Sequence, residues 1–266
     1  MAVAAVARLR YATSTSAVPR IVSEGPLRPE RAEGWIDDPR DMPIHDGRET
    51  TAESGLDLCG FELVEAVPAT VERPGERARR RYHAEAEAIV LGLTGAAWAT
   101  AFDSTRRASE PRTQTNLAVG APVLRVHNDF TRRSALETVD QVLRGHIRPP
   151  ATGRVAILSV WRPLRGTVFR HPLALADART VSDDDLVVVR RCRPGWEGET
   201  AFLSWRPTHR WVTFPALRTD EAIVFKLFDS AAGVACSSPH TAFSDPGTPL
   251  RAPTRTSIEA RVLVCY

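Results

Sequence analysis

The segments His240-Thr241-Ala242-Phe243 and Arg255-Thr256-Ser257-Ile258-Glu259-Ala260-Arg261 read as two short β-strands near the end of the chain. Far upstream, His127-Asn128-Asp129 follows a short β-branched run and sets a histidine and a carboxylate two residues apart. Side chains two apart in a strand point to the same face. We therefore expect that histidine and that aspartate to aim at one interior point, where His240 joins them from a second strand.

Short apolar segments separated by Pro, Gly and Asp predict a sandwich or barrel, and a jelly roll is the fold we expect. After residue 150 these segments are Val155–Trp161, Thr167–Phe169, Leu186–Arg190, Ala201–Trp205, Arg210–Phe214, Ala222–Phe228, His240–Phe243 and Ser257–Tyr266. Apolar residues at helical spacing predict flanking helices over Glu76–Leu91 and Arg133–His146. The prediction is thus a mostly β domain with flanking helices.

The first part of the chain differs from the rest in amino-acid composition. Residues 1–55 are rich in Pro, Gly, Asp, Glu and Arg, which predicts an extended arm with one or two strands before a domain over 56–266. Within that domain, Ala97–Asp103 predicts a further strand and Ser104–Thr115 a polar loop.

Composition narrows the functional class of this 266-residue chain. A net charge of +3 gives no electrostatic support for a nucleic-acid partner. The most apolar run, Ile89–Phe102, has 14 residues and is too short to span a bilayer, so no membrane partner is expected. The four cysteines form no CxxC pair, which favours free thiols in a reducing cytosol and a soluble, cytoplasmic protein. No pattern indicates an oligomeric state.

The residue types of the predicted cluster point to metal chemistry. Two neutral imidazoles and one carboxylate on one face of a metal form the ligand set of non-haem Fe(II) oxygenases. One H-x-D pair is weak evidence by itself, and packing histidines remain the alternative. The late position of His240 on a second strand strengthens the metal interpretation, and no other catalytic motif competes with it.

The last strand carries a polar face. Arg255, Ser257, Glu259 and Arg261 lie on one side by strand alternation. A guanidinium binds a carboxylate through two hydrogen bonds, and a nearby hydroxyl adds another, so this face is suited to an acidic cosubstrate. An exposed, salt-bridging edge strand is the alternative, because arginine is abundant in this chain.

Several short motifs follow one another over about residues 40–266. They are Ile44–Arg48, Asp57–Leu63, Leu93–Ala96, Val126–Thr131, Val160–Leu164, Pro172–Asp177, Asp220–Lys226, Phe228–Ser230, His240–Phe243 and Arg255–Arg261. In this order they resemble the asaB-type hydroxylase/desaturase family, which includes gibberellin desaturase, aspergillic acid hydroxylase and a cephamycin 7α-methoxylation component.

The resemblance implies an Fe(II)/2-oxoglutarate-dependent oxygenase on a double-stranded β-helix. Such an enzyme uses dioxygen to hydroxylate or desaturate a small-molecule substrate, here a secondary metabolite, and releases succinate and CO2. Two alternatives remain: a metal-free jelly-roll protein that binds small molecules, and an iron oxygenase that uses no keto acid.

The resemblance also implies roles for individual residues. By analogy, His127, Asp129 and His240 are the iron ligands, and Arg255 holds the distal carboxylate of 2-oxoglutarate. Arg261 resembles the second arginine of the DNA-dealkylating dioxygenases. The candidates for the cosubstrate site are Arg255, Ser257 and Arg261, and those for the substrate pocket wall are Trp161, Arg162 and Lys226.

Overall fold

The computed structural model describes residues 1–16, 18–23, 31–49, 54–66, 75–110, 119–145 and 153–266. Its α-helices are α1 (Glu76–Thr94) and α2 (Arg132–Arg144), and its 3-10 turns are Gly47–Glu49, Ala178–Thr180 and Asp183–Asp185. Its strands are β1 (Val3–Ser14), β2 (Arg20–Val22), β3 (Arg31–Glu33), β4 (Trp35–Asp46), β5 (Phe61–Glu65), β6 (Trp98–Ala108), β7 (Val119–Gly120), β8 (His127–Asn128), β9 (Val155–Pro163), β10 (Leu173–Ala176), β11 (Leu186–Arg193), β12 (Trp196–Leu203), β13 (Trp211–Thr213), β14 (Glu221–Asp229), β15 (His240–Ala242) and β16 (Thr256–Cys265).

The strands form two sheets that pack face to face as a jelly roll, the double-stranded β-helix expected from the sequence. The larger sheet has the order β1-β4-β13-β10-β15-β8-β12-β11-β2-β3, and the smaller has β5-β14-β9-β16-β6-β7. Apolar side chains from both sheets, such as Leu175 and Phe225, share one core. The prediction of a mostly β fold with flanking helices is confirmed.

The smaller sheet is covered on both faces, and strand alternation sorts its residues between them. Ala156, Leu158 and Val262 pack under α1 against Ala86 and Val90. The alternate positions face the larger sheet and include Ile157, Trp161 and Leu263. Odd-numbered residues of β16 therefore point to the space between the sheets.

The helices form where apolar periodicity predicts them. The buried face of α1 repeats every four residues through Ala78, Tyr82, Ala86 and Val90, and Gly95 ends the helix in the left-handed conformation at φ 64°. This helix runs three residues beyond its predicted end. The predicted end of α2, His146, lies outside the described residues. Among the described residues, no helix is both long and apolar enough to cross a bilayer.

The N-terminal residues are part of the larger sheet. They supply four strands, where the sequence predicted one or two: β1 pairs with β4, and β4 pairs with β13. Tyr11 is fully buried, and its hydroxyl accepts a hydrogen bond from Trp211 Nε1 at 2.7 Å. Composition hid these strands because their stability comes from tertiary pairing. The domain boundary at residue 55 stays a prediction.

Strand β6 is longer than predicted. It continues through Ala108, so the polar loop predicted from Ser104 is wrong at its start, while residues 111–115 lie outside the described residues. Its register with β16 pairs Asp103 with Arg261 but Ala101 with Val262, which leaves Phe102 as the extra residue of a β-bulge. Of the predicted strand Thr167–Phe169, the structure has only an isolated bridge at Val168.

We predict that Tyr11→Phe lowers the free energy of unfolding by about 1–3 kcal/mol, because it leaves the buried indole N–H of Trp211 without an acceptor. Urea unfolding followed by far-UV circular dichroism and by tryptophan fluorescence should give one shared, shifted transition. Thr13→Val, at an exposed position of the same strand, is the control. An unshifted transition in Tyr11→Phe would contradict the integration of β1 into the core.

Candidate metal centre

Backbone pairing brings the two distant histidines together. β8 pairs with β12 on one side and β15 on the other, and His240 lies directly opposite His127. The ring centroids are 4.4 Å apart. One ligand atom each from His127, Asp129 and His240 all lie within 4.8 Å of one another. Three ligand atoms that share one face of a metal, with bonds of about 2.1 Å, lie about 3 Å apart, so the widest separation here must close by up to about 2 Å when a metal binds.

The two imidazoles are held in the form that binds a metal. His127 Nδ1 lies 2.8 Å from the carbonyl of Arg125, and His240 Nδ1 lies 3.3 Å from that of Ser238. A carbonyl only accepts, so each Nδ1 carries the proton and each Nε2 keeps its lone pair. Burial, followed by the neighbouring His240, lowers the pKa of His127 to about 3, which keeps the ring neutral.

The carboxylate is oriented by an arginine. Asp129 Oδ2 accepts a hydrogen bond from Arg261 Nε at 2.8 Å, while Oδ1 lies 3.6 Å from His127 Nε2. Burial alone would raise the pKa of Asp129, but the charge of Arg261, the two neighbouring histidines and the hydrogen bond from Arg261 together bring the pKa below its ordinary value. Asp129 is therefore ionised, and the two rings and this oxygen together fit a divalent cation.

Arg261 is itself held by carboxylates. Its guanidinium donates to Asp103, and its Nη2 lies 3.9 Å from Glu259 Oε1. Burial alone would lower the pKa of Arg261, but the charges of Asp129, Glu259 and Asp103 raise it above its ordinary value. The guanidinium thus joins β6, β16 and the residue after β8.

Arg255 is buried in a different way. Its side chain donates to Ser257 Oγ at 3.2 Å and to the carbonyl of His171, and it lies 5.0 Å from the Trp161 ring centroid. Within the described part of the chain, no carboxylate lies within ion-pairing distance of it. Burial, and then the charge of Arg107, lower its pKa to about 9, so the guanidinium stays protonated at neutral pH.

A small cavity separates the histidines from Arg255. Its described walls are Arg107, Val123, His127, Trp161, Leu173, His240, Ala242, Arg255 and Glu259. They include two guanidiniums and one carboxylate, so the cavity favours an anion. The free space is about 20 Å³, close to one water, so a larger ligand enters only if a long side chain such as Arg107 turns aside.

Comparison with known proteins agrees with this chemistry. A family model described as an oxidoreductase/YMDC permease-like domain matches residues 9–265. The Fe(II)/2-oxoglutarate-dependent dioxygenase nvfI of Aspergillus novofumigatus is 32% identical over 235 residues, which cover 85% of this chain and 83% of that protein. The chain belongs to this dioxygenase family. The hydroxylase/desaturase asaB of Aspergillus flavus is 34% identical over 128 residues, 42% of this chain and 56% of that protein.

Solved structures agree with the assignment. A variant of the iron and alpha-ketoglutarate-dependent endoperoxidase NvfI superposes with a TM-score of 0.83 at 26% identity, covering 100% of this chain and 98% of that chain. The protein is an Fe(II)/2-oxoglutarate-dependent oxygenase, and its mostly β fold is the jelly roll of that class. Both alternatives left open by the sequence, a metal-free binding protein and a keto-acid-independent oxygenase, are thereby disfavoured.

Of the three residues predicted for the pocket wall, one lies at the cavity. Trp161 lines it beneath Arg255. Arg162 points the other way, under α1, and donates to Glu85 Oε2 at 3.1 Å. Lys226 is fully buried and pairs with Asp57 and Asp229, each at 2.7 Å. The last two are therefore placed in structural ion pairs, away from the cavity.

Sequence reasoning missed three residues around the site. Asp103 and Arg107 lie on β6 opposite Arg261 and Ser257. Asp103 is the last residue of the predicted strand, and only an extension of that strand would have included Arg107. His171 has a φ of 48°, which a non-glycine residue seldom adopts, and its carbonyl accepts a hydrogen bond from Arg255. No sequence signal marks that conformation.

We predict opposite effects on stability for two arginines of the same polar face. Arg255→Met should raise the free energy of unfolding by about 1 kcal/mol or more, because it removes a buried charge that lacks a carboxylate partner. Arg261→Met should lower it by about 3 kcal/mol, because it leaves Asp129 buried without its cation. Urea unfolding in chelator without keto acid measures both, and a drop of equal size in the two variants would contradict this account.

Proposed function

We propose that His127, Asp129 and His240 bind the Fe(II) of this dioxygenase as a facial triad. The observation that carries the proposal is that one ligand atom from each of the three residues lies within 4.8 Å of the other two, while Nδ1 of each histidine faces a backbone carbonyl. Arg261 acts behind them as a positioning residue that fixes the orientation of Asp129. This role is supported by the 2.8 Å contact of its Nε with Asp129 Oδ2.

In this proposal Arg255 pairs with the distal carboxylate of 2-oxoglutarate, and Ser257 adds a hydrogen bond. The buried, carboxylate-free environment of Arg255 and its position across the small cavity from the histidines support this role. When bound, the iron and the keto acid supply the oxidant by activating dioxygen with release of succinate and CO2. Trp161 supports Arg255 from below and helps to exclude water.

The substrate is a small molecule of secondary metabolism, and the reaction is hydroxylation or desaturation at a C–H bond. The printed activities of the relatives, hydroxylase/desaturase and dioxygenase, support this assignment. The four cysteines are free, which agrees with action in the reducing cytoplasm.

We predict that His240→Ala weakens Fe(II) binding at least about 100-fold, because a facial triad that loses one of its three ligands no longer encloses the cation. Anaerobic Fe(II) titration of the wild type should give about one iron per chain. His83→Ala, on α1 and hydrogen-bonded to Ser104, is the control and should keep full binding. Wild-type stoichiometry in a folded His240→Ala variant would refute the triad.

We predict that Arg255→Met weakens 2-oxoglutarate binding about 100-fold but hardly affects 2-oxobutyrate, which has no distal carboxylate. A lost charged pair in a buried site costs about 2–5 kcal/mol, and 100-fold corresponds to about 2.7 kcal/mol. Calorimetric titration of the Fe(II)-loaded protein under nitrogen measures both ligands. Arg170→Met, whose guanidinium binds loop carbonyls, is the matched control. Equal losses for both keto acids would argue against the proposed role.

A further inference from the structure

A second and much larger opening is lined in part by Asp129 of the candidate metal centre. This opening, the Asp129 cleft, has a volume of about 650 Å³ and is bounded by β6, the residue after Asp129, and the β11–β12 hairpin. Its described walls share no residue with the small cavity at the histidines. Its volume lies within the range of sites for drug-sized ligands. The cleft and the small cavity are therefore two different spaces next to the candidate triad.

Aromatic side chains form three walls of the Asp129 cleft. They are Phe102, Phe130 and Trp196, and the Trp196 ring is 44% exposed. Phe102 faces the cleft together with its neighbour Asp103, which regular alternation would forbid and the β-bulge permits. Flat apolar walls of this kind bind a rigid, ring-containing body.

The acidic and basic side chains of the cleft lie in different parts of it. Its two acidic groups, Asp103 and Asp129, are both bound by Arg261 at the floor. On the hairpin, Arg193 stacks on Trp196, with its guanidinium carbon 4.1 Å from the ring centroid. Throughout the described residues, no carboxylate lies within ion-pairing distance of Arg193. The guanidinium of Arg193 therefore adds positive charge to the hairpin wall of the cleft.

We propose that the Asp129 cleft binds a substrate with a rigid apolar body and a carboxylate. The body lies between the three aromatic rings, and the carboxylate pairs with Arg193. The substrate is thereby oriented so that its far end points to the floor at Asp129. The inference rests on the proposed function, because the cleft orients a substrate for oxidation only if Asp129 binds the iron.

A pair of probes that differ only in charge tests this proposal. Naphthalene-2-carboxylate and naphthalene-2-carboxamide have the same shape. The protein is loaded with Fe(II) and saturating 2-oxoglutarate under nitrogen, so that the keto acid fills the small cavity beside Arg255. Ligand-observed NMR measures both dissociation constants. The wild type should bind the acid about tenfold more tightly, since one charged pair of about 1.4 kcal/mol gives that factor.

Three variants locate the source of the preference. Arg193→Gln should bind acid and amide equally, and Arg193→Lys should retain most of the preference because it keeps the charge. Arg190→Gln is the matched control: it lies on the same strand, is exposed, and is absent from the described walls of the cleft. Equal binding of the two probes to the wild type would overturn the proposal, and so would a preference that survives Arg193→Gln.

The iron content of the same samples reports separately on the metal site. Bound iron without acid preference would refute the carboxylate proposal and leave the triad intact. Acid preference without bound iron would refute the triad and leave the cleft assignment intact. If Arg255→Met abolished the preference for the acid while Arg193→Gln kept it, the probe would be binding in the small cavity beside Arg255, and the cleft assignment would be refuted.

Discussion

One backbone pairing, His127 opposite His240, holds the whole site together, and it lies between strands of two and three residues. Such short strands need support from elsewhere. The support comes from the residue between the ligands: the side-chain amide N–H groups of Asn128 donate to the backbone carbonyls of Phe130 and Leu227, and the backbone carbonyl of Asn128 accepts from Thr200 Oγ1. These contacts fix β8 to both sheets, so the ligand positions inherit the rigidity of the jelly roll.

The space around that pairing is lined by polar side chains from both β6 and β16. Across β6 and β16, the facing pairs are Asp103 with Arg261, Thr105 with Glu259, and Arg107 with Ser257. Directly opposite side chains share a face, so this ladder lines the interior between the sheets. Charges there cost free energy unless they are paired. Arg261 is paired with carboxylates of the protein, whereas Arg255 has no carboxylate partner among the described residues, and this difference is why we propose different roles for them.

The sequence was informative where the types of residue suited to a metal or anion site also followed the two-residue period of a β-strand. His127, Asp129 and His240 converge as predicted, and Arg255 to Arg261 share a face because both inferences need only a two-residue period. It failed from Ser104 onward, and so missed Arg107, because both faces of that stretch of β6 are polar: one meets α1, where Ser104 contacts His83, and the other meets the site. No hydrophobic period marks such a strand. The N-terminal strands were underestimated for a related reason, since only their long-range pairing reveals them.

The bulge at Phe102 has an evolutionary consequence. Ala101 keeps its partner Val262 and Asp103 keeps Arg261, so the extra residue is inserted between two intact registers. A homologue that lacks this one codon would retain the guanidinium clamp on Asp129 and lose only an aromatic wall. Gain or loss of a single amino acid at this point therefore changes the lining of the Asp129 cleft while the pairing of Asp103 with Arg261 is kept.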